Sequence, residues 1–274
     1  MATYRYVVAD VFTDVPLHGN QLAVFTDARE IPDERLQLLA REMNLSETVF
    51  VYPGGDDAHV RIRIFTPFVE LQFAGHPVLG SAFVLAGPLQ LEEIHIATGA
   101  GVIPVRLERE ESRIVFGWMQ QPYPSVEPVP DEAALLQALH LNSSELPVEL
   151  YDNGVRFAYV GLGDARRLAE LEPDLQALRR FEFGVDCFAG SGASWKTRMF
   201  APAFGVAEDP ATGSAAGPLA VHLVRHRAVE RGAEIRIAQG AEIARPSTLH
   251  ARADDSRVEV GGSAVLVARG EFRL

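Results

Sequence analysis

The chemistry this sequence can support is concentrated at one glutamate and two glycine-led segments. Glu47 follows Asn44-Leu45-Ser46 and opens the apolar run Val49-Phe50-Val51. A carboxyl group entering a buried strand loses hydration, which favours its neutral form and moves it toward the range in which a general base works. A strand-start glutamate bonded to backbone amides is the plainer reading, and the flanking residues leave both open. Gly75-His76-Pro77 leads into the apolar run Val78 to Leu85, and Gly213-Ser214-Ala215-Ala216 leads into Leu219 to Leu223. Helix starts carry unpaired backbone N–H groups and a partial positive charge, so two of them aimed into one space would trap an anion. Glycine lets backbone approach a ligand closely, and Ser214 adds a hydroxyl donor. Equally, Gly75 and Gly213 can serve only as tight turns into buried helices.

His76 falls in the first helical turn, where the dipole disfavours imidazolium. A neutral ring there can donate to a ligand or shuttle a proton, and it can equally be structural. Asp209, ahead of Pro210-Ala211-Thr212-Gly213, is either a helix-entry cap or a partner for a substrate amine. Asp10 and His18 are weaker candidates, adequately explained as a strand-end residue and a solvated turn. Other common chemistries are missing: there is no HExxH, no Walker A loop, no Rossmann glycine fingerprint and no Gly-x-Ser-x-Gly elbow. Thr212 to Gly217 superficially suggests a phosphate loop but lacks the following lysine. No metal or cofactor site is expected.

Composition narrows the partners. The 274 residues carry a formal net charge of −12, which argues against nucleic acid or an anionic membrane as a partner. Cys187 is the only cysteine, so neither an intramolecular disulfide nor a Cys-rich metal site can form; its apolar neighbours suggest a small buried residue. No window approaches the ~18 consecutive apolar residues of a membrane span, and the β-rich start, Tyr4 to Phe12, lacks the pattern of a signal peptide. The expected compartment is the cytoplasm.

The elements that must position these residues alternate. Strand patterns cover Tyr4 to Phe12 and Leu22 to Phe25, with a Gly19-Asn20 turn between them. Pro32-Asp33-Glu34 opens a helix with Leu36, Leu39, Ala40 and Met43 at helical spacing. Strands follow at Thr48 to Val51 and Val60 to Phe65, then three more between residues 92 and 118. The Pro-rich stretch 121–130 reads as a linker, with a helix from Asp131 to Leu139 beyond it and a short one from Asp174 to Arg179. The second half repeats the first. Asp152-Asn153-Gly154 precedes the strand Phe157 to Val160 as Gly19-Asn20 precedes Leu22, and Arg198-Met199-Phe200-Ala201-Pro202 mirrors Ile64-Phe65-Thr66-Pro67. Each is followed by an acidic loop (Glu70; Glu208 and Asp209) and a glycine-led helix. The expected class is α+β: two pseudo-repeated lobes, each a curled sheet or barrel around a central helix, facing each other across a cleft. The lobes are expected at 1–120 and 131–262, with 263–274 available to return to the first.

These motifs carry a resemblance. Leu17-His18-Gly19-Asn20, Arg41 to Glu47, Ile64 to Pro67 with Phe73-Ala74-Gly75-His76-Pro77, Arg198 to Pro202, Glu208 to Leu219 and Arg245-Pro246-Ser247 resemble the PhzF family, which shares the diaminopimelate epimerase fold. They span essentially the whole chain in family order. Tyr151 to Arg156 and Cys187 to Gly192 with Trp195 are similar to the phenazine-pathway branch. The resemblance implies a cofactor-free isomerase acting on trans-2,3-dihydro-3-hydroxyanthranilate, a small carboxylated ring, to give an aminoketone. It implies that Glu47 takes the proton from C3 and returns it at C1. Gly75, His76, Gly213 and Ser214 would hold the carboxylate, while His76 and Asp209 contact the polar groups. A homodimer is implied as well. Gln21 and Gln72 stand where the family often has Pro, and Ala244 where Gly is common. Diaminopimelate epimerase uses two opposed cysteines; the corresponding places here hold Ala74 and Thr212, which cannot act as thiol bases. Two alternatives stay open: a PhzF-like isomerase of another small amino or hydroxy acid, and a non-catalytic small-acid-binding protein.

Overall fold

The computed structural model describes residues Ala2–Leu274. The chain forms two compact units, one from residues up to Gln120 together with Gly261–Leu274, the other Gln121–Val260. Among the described residues no helix is long and apolar enough to cross a membrane.

In the first unit β1 (Thr3–Val11) pairs antiparallel with β2 (Asn20–Phe25), and β2 pairs parallel with β3 (Glu47–Pro53). The crossover between β2 and β3 is helix α1, Asp33–Met43. Its first turn holds Asp33 and Glu34, favourable at a helix N-terminus. It stops at Asn44, whose left-handed backbone (φ 51°) lets its N–H bond Ala40 O. Buried Leu36, Leu39 and Ala40 pack against Tyr4, Phe25, Phe50 and Phe65, which fixes where the chain re-enters the sheet at Glu47. β3 continues antiparallel to β4 (Val60–Phe65), which pairs with the two-residue β5 (Glu70–Leu71) and, in parallel, with β6 (Glu93–Thr98). β6, β7 (Gly101–Glu110) and β8 (Arg113–Gln121) form a meander. Helix α2, Gly75–Leu89, runs from β5 to β6 and contacts β1, β2, β3, β6 and β7. It is apolar on nearly every side, as a helix enclosed by a sheet must be.

The second unit repeats this order of pairing. After β9 (Ser125–Pro128), β10 (Glu149–Asp152) and β11 (Arg156–Gly161) are antiparallel, and β11 and β12 (Gly184–Ser191) parallel. Next, β12 and β13 (Ser194–Ala201) are antiparallel, and β13 takes the short β14 (Val206–Asp209) on one side and β15 (Ile235–Gln239) in parallel on the other. β16 (Ser247–Ala253) closes against β15. Three short helices, α3 (Glu132–Ala138), α4 (Ala165–Ala169) and α5 (Leu175–Leu178), each begin with an aspartate side chain capping the first turn. The central helix α6, Gly213–Arg225, is buried from Gly213 through Leu223. Through β17 (Val258–Gly262) the chain returns to the first unit, where β18 (Ala264–Arg273) pairs with β1.

The internal repeat extends to side chains. Arg63 grips Glu70 with two hydrogen bonds of 2.7 and 2.8 Å and lies 5.2 Å over the Phe65 ring. Arg198 grips Glu208 with bonds of 2.9 and 2.8 Å and lies 5.1 Å over Phe200. The pseudo-repeated α+β class expected from the sequence is therefore the fold. Residues 121–130, read as a linker, contain strand β9, which pairs antiparallel with β10. Cys187 is fully buried in the apolar cluster with Val185 and Phe200, and burial pushes its thiol far above the ordinary range, so it is a packed core side chain.

Candidate functional site

The expected site residues form two groups, one in each unit. In the first unit Glu47, at the start of β3, and Asn20, at the start of β2, sit near the first turn of α2. Glu47 Oε2 is 3.2 Å from His76 Nε2, with the two side chains 15% and 3% exposed. Asn20 Nδ2 is 3.2 Å from His76 Nδ1. The approach to Glu47 is a close contact without hydrogen-bond geometry: His76 Nε2 makes no hydrogen bond among the described residues. Burial lowers the His76 pKa to about 3, against a smaller opposing effect of a backbone hydrogen bond with Gln21. The ring is thus neutral across the physiological range.

Helix α2 starts at buried Gly75 without a side-chain cap, since its N-cap is Ala74, and Pro77 contributes no N–H to the first turn. The backbone donors of Gly75 and His76 are what this terminus offers to an anion.

In the second unit Asp209 ends β14 and is 6% exposed. Its Oδ2 accepts a 2.6 Å hydrogen bond from the Thr212 hydroxyl. Thr212 is the N-cap of α6, yet its side chain does not cap the helix. Gln239 holds this loop from the end of β15. Its Nε2 donates to Asp209 O (2.8 Å) and Thr212 Oγ1 (3.0 Å), and its Oε1 accepts from Thr212 N–H at 3.1 Å. The next residue, Gly240, has φ +79°, and a Cβ there would lie 2.4 Å from the carbonyl oxygens of Pro210 and Arg245; only glycine fits.

Pro218 lies inside α6. Proline has no N–H, so the carbonyl of Ser214 loses its i+4 donor. Asn153 Nδ2 takes that place at 2.9 Å. On either side of it, Gln121 Nε2 donates to Gly213 O at 2.8 Å and the Tyr159 hydroxyl to Ala215 O at 2.7 Å. Two side chains from the surrounding strands and one from the β10–β11 turn thus clamp the carbonyls of the first turn, leaving its N–H groups pointing the other way.

The structure brings Glu47, Gly75 and His76 together in one unit, and Asp209, Gly213 and Ser214 together in the other. Asp10 belongs to neither group; its carboxylate accepts the Leu17 N–H at 2.7 Å and holds the loop before β2. Sequence reasoning did not single out Gln121 or Gln239, and it used Asn20 and Asn153 only as parts of turns and motifs. The signal that could have found Asn153 is Pro218, since a proline inside a helix leaves a carbonyl in need of another donor.

The family model described as phenazine biosynthesis-like protein matches residues 9–270. The chain belongs to this PhzF family. It is 49% identical to trans-2,3-dihydro-3-hydroxyanthranilate isomerase of Pseudomonas aeruginosa, over 99% of this chain and 100% of the relative. To the isomerase of the same name from Pseudomonas fluorescens it is 45% identical, with the same coverage. In fold it is similar to a PhzF-family phenazine biosynthesis protein of Bacillus anthracis, with a TM-score of 0.86, 23% identity and 100% of both chains covered. In this PhzF-family chain the N-cap positions of the two central helices are Ala74 and Thr212, so neither helix start carries a thiol.

Proposed function

We propose that this PhzF-family chain is a trans-2,3-dihydro-3-hydroxyanthranilate isomerase in which Glu47 moves the proton. The observation that carries the reading is Glu47, largely withdrawn from water and 3.2 Å from the Nε2 of a histidine that stays neutral. Full-length identity of 49% to an enzyme of that name supports the substrate.

The Glu47 carboxylate takes the proton from C3, and the C–H electron pair passes through the conjugated ring to C1. The proton, now on Glu47, is returned there, and the enol left at C3 tautomerises to the ketone of the product, its hydroxyl proton leaving and a solvent-derived proton adding at C4, where heavy water labels it. One group accepts and releases the proton, so no second base is needed. His76, neutral and 3.2 Å from the carboxylate, flanks it from the first turn of α2. The substrate carboxylate is held by the backbone N–H groups of Gly75, His76, Gly213 and Ser214, and Asp209, fixed by Thr212 and Gln239, receives the amine or hydroxyl. The proposal extends to a homodimer in the cytoplasm, the first part of which sedimentation of the purified protein tests.

Glu47→Gln keeps the size and hydrogen-bonding of the side chain but cannot take a proton. It should abolish both turnover and deuterium uptake from heavy water while a non-reacting carboxylated analogue still binds. Turnover persisting in Glu47→Gln refutes the role of Glu47. A wild type inert toward dihydrohydroxyanthranilate but active on another small acid refutes the substrate, and one that binds the ring without turning over any such acid is a binding protein.

A further inference from the structure

At the far end of α6 from Ser214 lies a second cluster of chemically competent side chains. His222 and His226 are one turn apart at the C-terminal end of the helix, and Glu149 faces them from β10. Glu149 Oε2 is 2.8 Å from His226 Nε2, 3.5 Å from His222 Nδ1 and 2.9 Å from the Tyr151 hydroxyl, which is itself 3.1 Å from His222 Nδ1. The Glu149, His222 and His226 donor atoms all lie within 4.8 Å of one another. Four donors around a zinc ion, with bonds of ~2.0–2.1 Å, stand about 3.3 Å apart. The observed separations bracket that value.

We propose that Glu149, His222 and His226, with the Tyr151 oxygen as fourth donor, form a tetrahedral site for a zinc-type divalent cation, tying the end of α6 to β10. Imidazole and carboxylate together suit zinc rather than magnesium or calcium, which prefer all-oxygen shells.

The orientation of His222 supports this. Its ring is fully buried, stacked on Tyr159 (5.7 Å, 23°) with Phe188 edge-on (5.5 Å, 77°), and its Nε2 has no hydrogen-bond partner among the described residues. A neutral imidazole whose proton is on that nitrogen turns the Nδ1 lone pair toward Glu149 and Tyr151. Arg225 Nε lies 3.4 Å from Glu149 Oε1, so the guanidinium orients the carboxylate from outside and leaves Oε2 to the cluster. Glu149 and His226 are 17% and 18% exposed, which gives an ion a way in. Binding places the His226 ring proton on Nδ1, freeing Nε2, and releases to solvent the Tyr151 hydroxyl proton that is now given to Glu149 Oε2.

The test uses the full-length protein, stripped with a chelator and titrated with zinc chloride by calorimetry, then with cobalt(II) as a spectroscopic probe. Expected results are one zinc per chain, the intense visible bands of tetrahedral cobalt, and a zinc-dependent rise in Tm. Glu149→Gln and His226→Asn should each weaken uptake by more than the roughly 10- to 100-fold that losing a partner behind a ligand costs, while keeping wild-type circular dichroism and isomerase turnover. His226→Asn alters a partly exposed position, so it reports on binding even if Glu149→Gln folds poorly. No uptake by the wild type, uptake unchanged in His226→Asn, or weak octahedral cobalt bands would overturn the proposal.

Discussion

Replacing Asn153 by Leu asks whether a side chain from the β10–β11 turn stands in for the hydrogen bond that Pro218 takes away from α6. Asn153 Nδ2 lies 2.9 Å from Ser214 O and 3.3 Å from Gln121 Oε1. Leucine is similar in volume but donates nothing, and a buried carbonyl left without a donor costs about 1–3 kcal/mol. Part of that is offset, because Asn153 Oδ1 is itself buried with no hydrogen-bond partner among the described residues and disappears with the substitution. The net loss should be about 1–2 kcal/mol. In a Pro218→Ala background the backbone N–H at position 218 can bond Ser214 O directly, so Asn153→Leu should cost about 0.5 kcal/mol or less, a coupling of about 1 kcal/mol. Urea unfolding of the wild type, the two single variants and the double variant measures this, provided all four share one m-value. If Asn153→Leu costs the same in both backgrounds, Asn153 is not replacing the missing backbone donor.

His76 makes stability depend on pH in a defined direction. Its folded-state pKa of about 3 lies below the ordinary histidine value of 6.5, so the unfolded chain binds the extra proton. Stability from the neutral ring is complete above the unfolded value and is lost as pH falls toward 3, with about 2 kcal/mol gone at pH 5. His76→Gln should flatten the change in urea midpoint between pH 7 and 5, and an unchanged slope would contradict the assignment. The two repeated ion pairs should differ in strength. Arg198 and Glu208 are 9% and 10% exposed, so Arg198→Met should cost about 3–5 kcal/mol by leaving a buried carboxylate alone. Arg63 and Glu70, at 24% and 36%, should lose about 1 kcal/mol or less in Arg63→Met. Equal losses in thermal or urea unfolding would show that burial does not set the difference.

The elements with a strong period were readable from the sequence. The helix opened by Pro32-Asp33-Glu34 and ended by Asn44 is α1, and the helix expected from Asp131 to Leu139 is Glu132–Ala138 with those two residues as its caps. The repeated Phe-x-Pro segments located two equivalent strand ends and the starts of α2 and α6. Short elements escaped: β5 has two residues and β14 four, too few for any alternation to register. β9 was hidden among prolines, which a strand accepts at its edge or end. Within the candidate site, Glu47, His76 and Asp209 stood out because each interrupts an apolar or glycine-rich context. Gln239 and Asn153 did not. They act on residues 27–30 and 61 positions away in the chain, and a lone amide at a strand end has no local pattern to mark it.

Thr212 gives its hydroxyl to Asp209 and so withholds the usual cap from α6. A helix built in this way starts without a side-chain cap, and in the proposed function a bound carboxylate completes that first turn. Gly213 and Ser214 should then exchange their amide hydrogens readily in the empty protein and slow sharply when a carboxylate is bound. Recognition and local ordering would be one event at that turn.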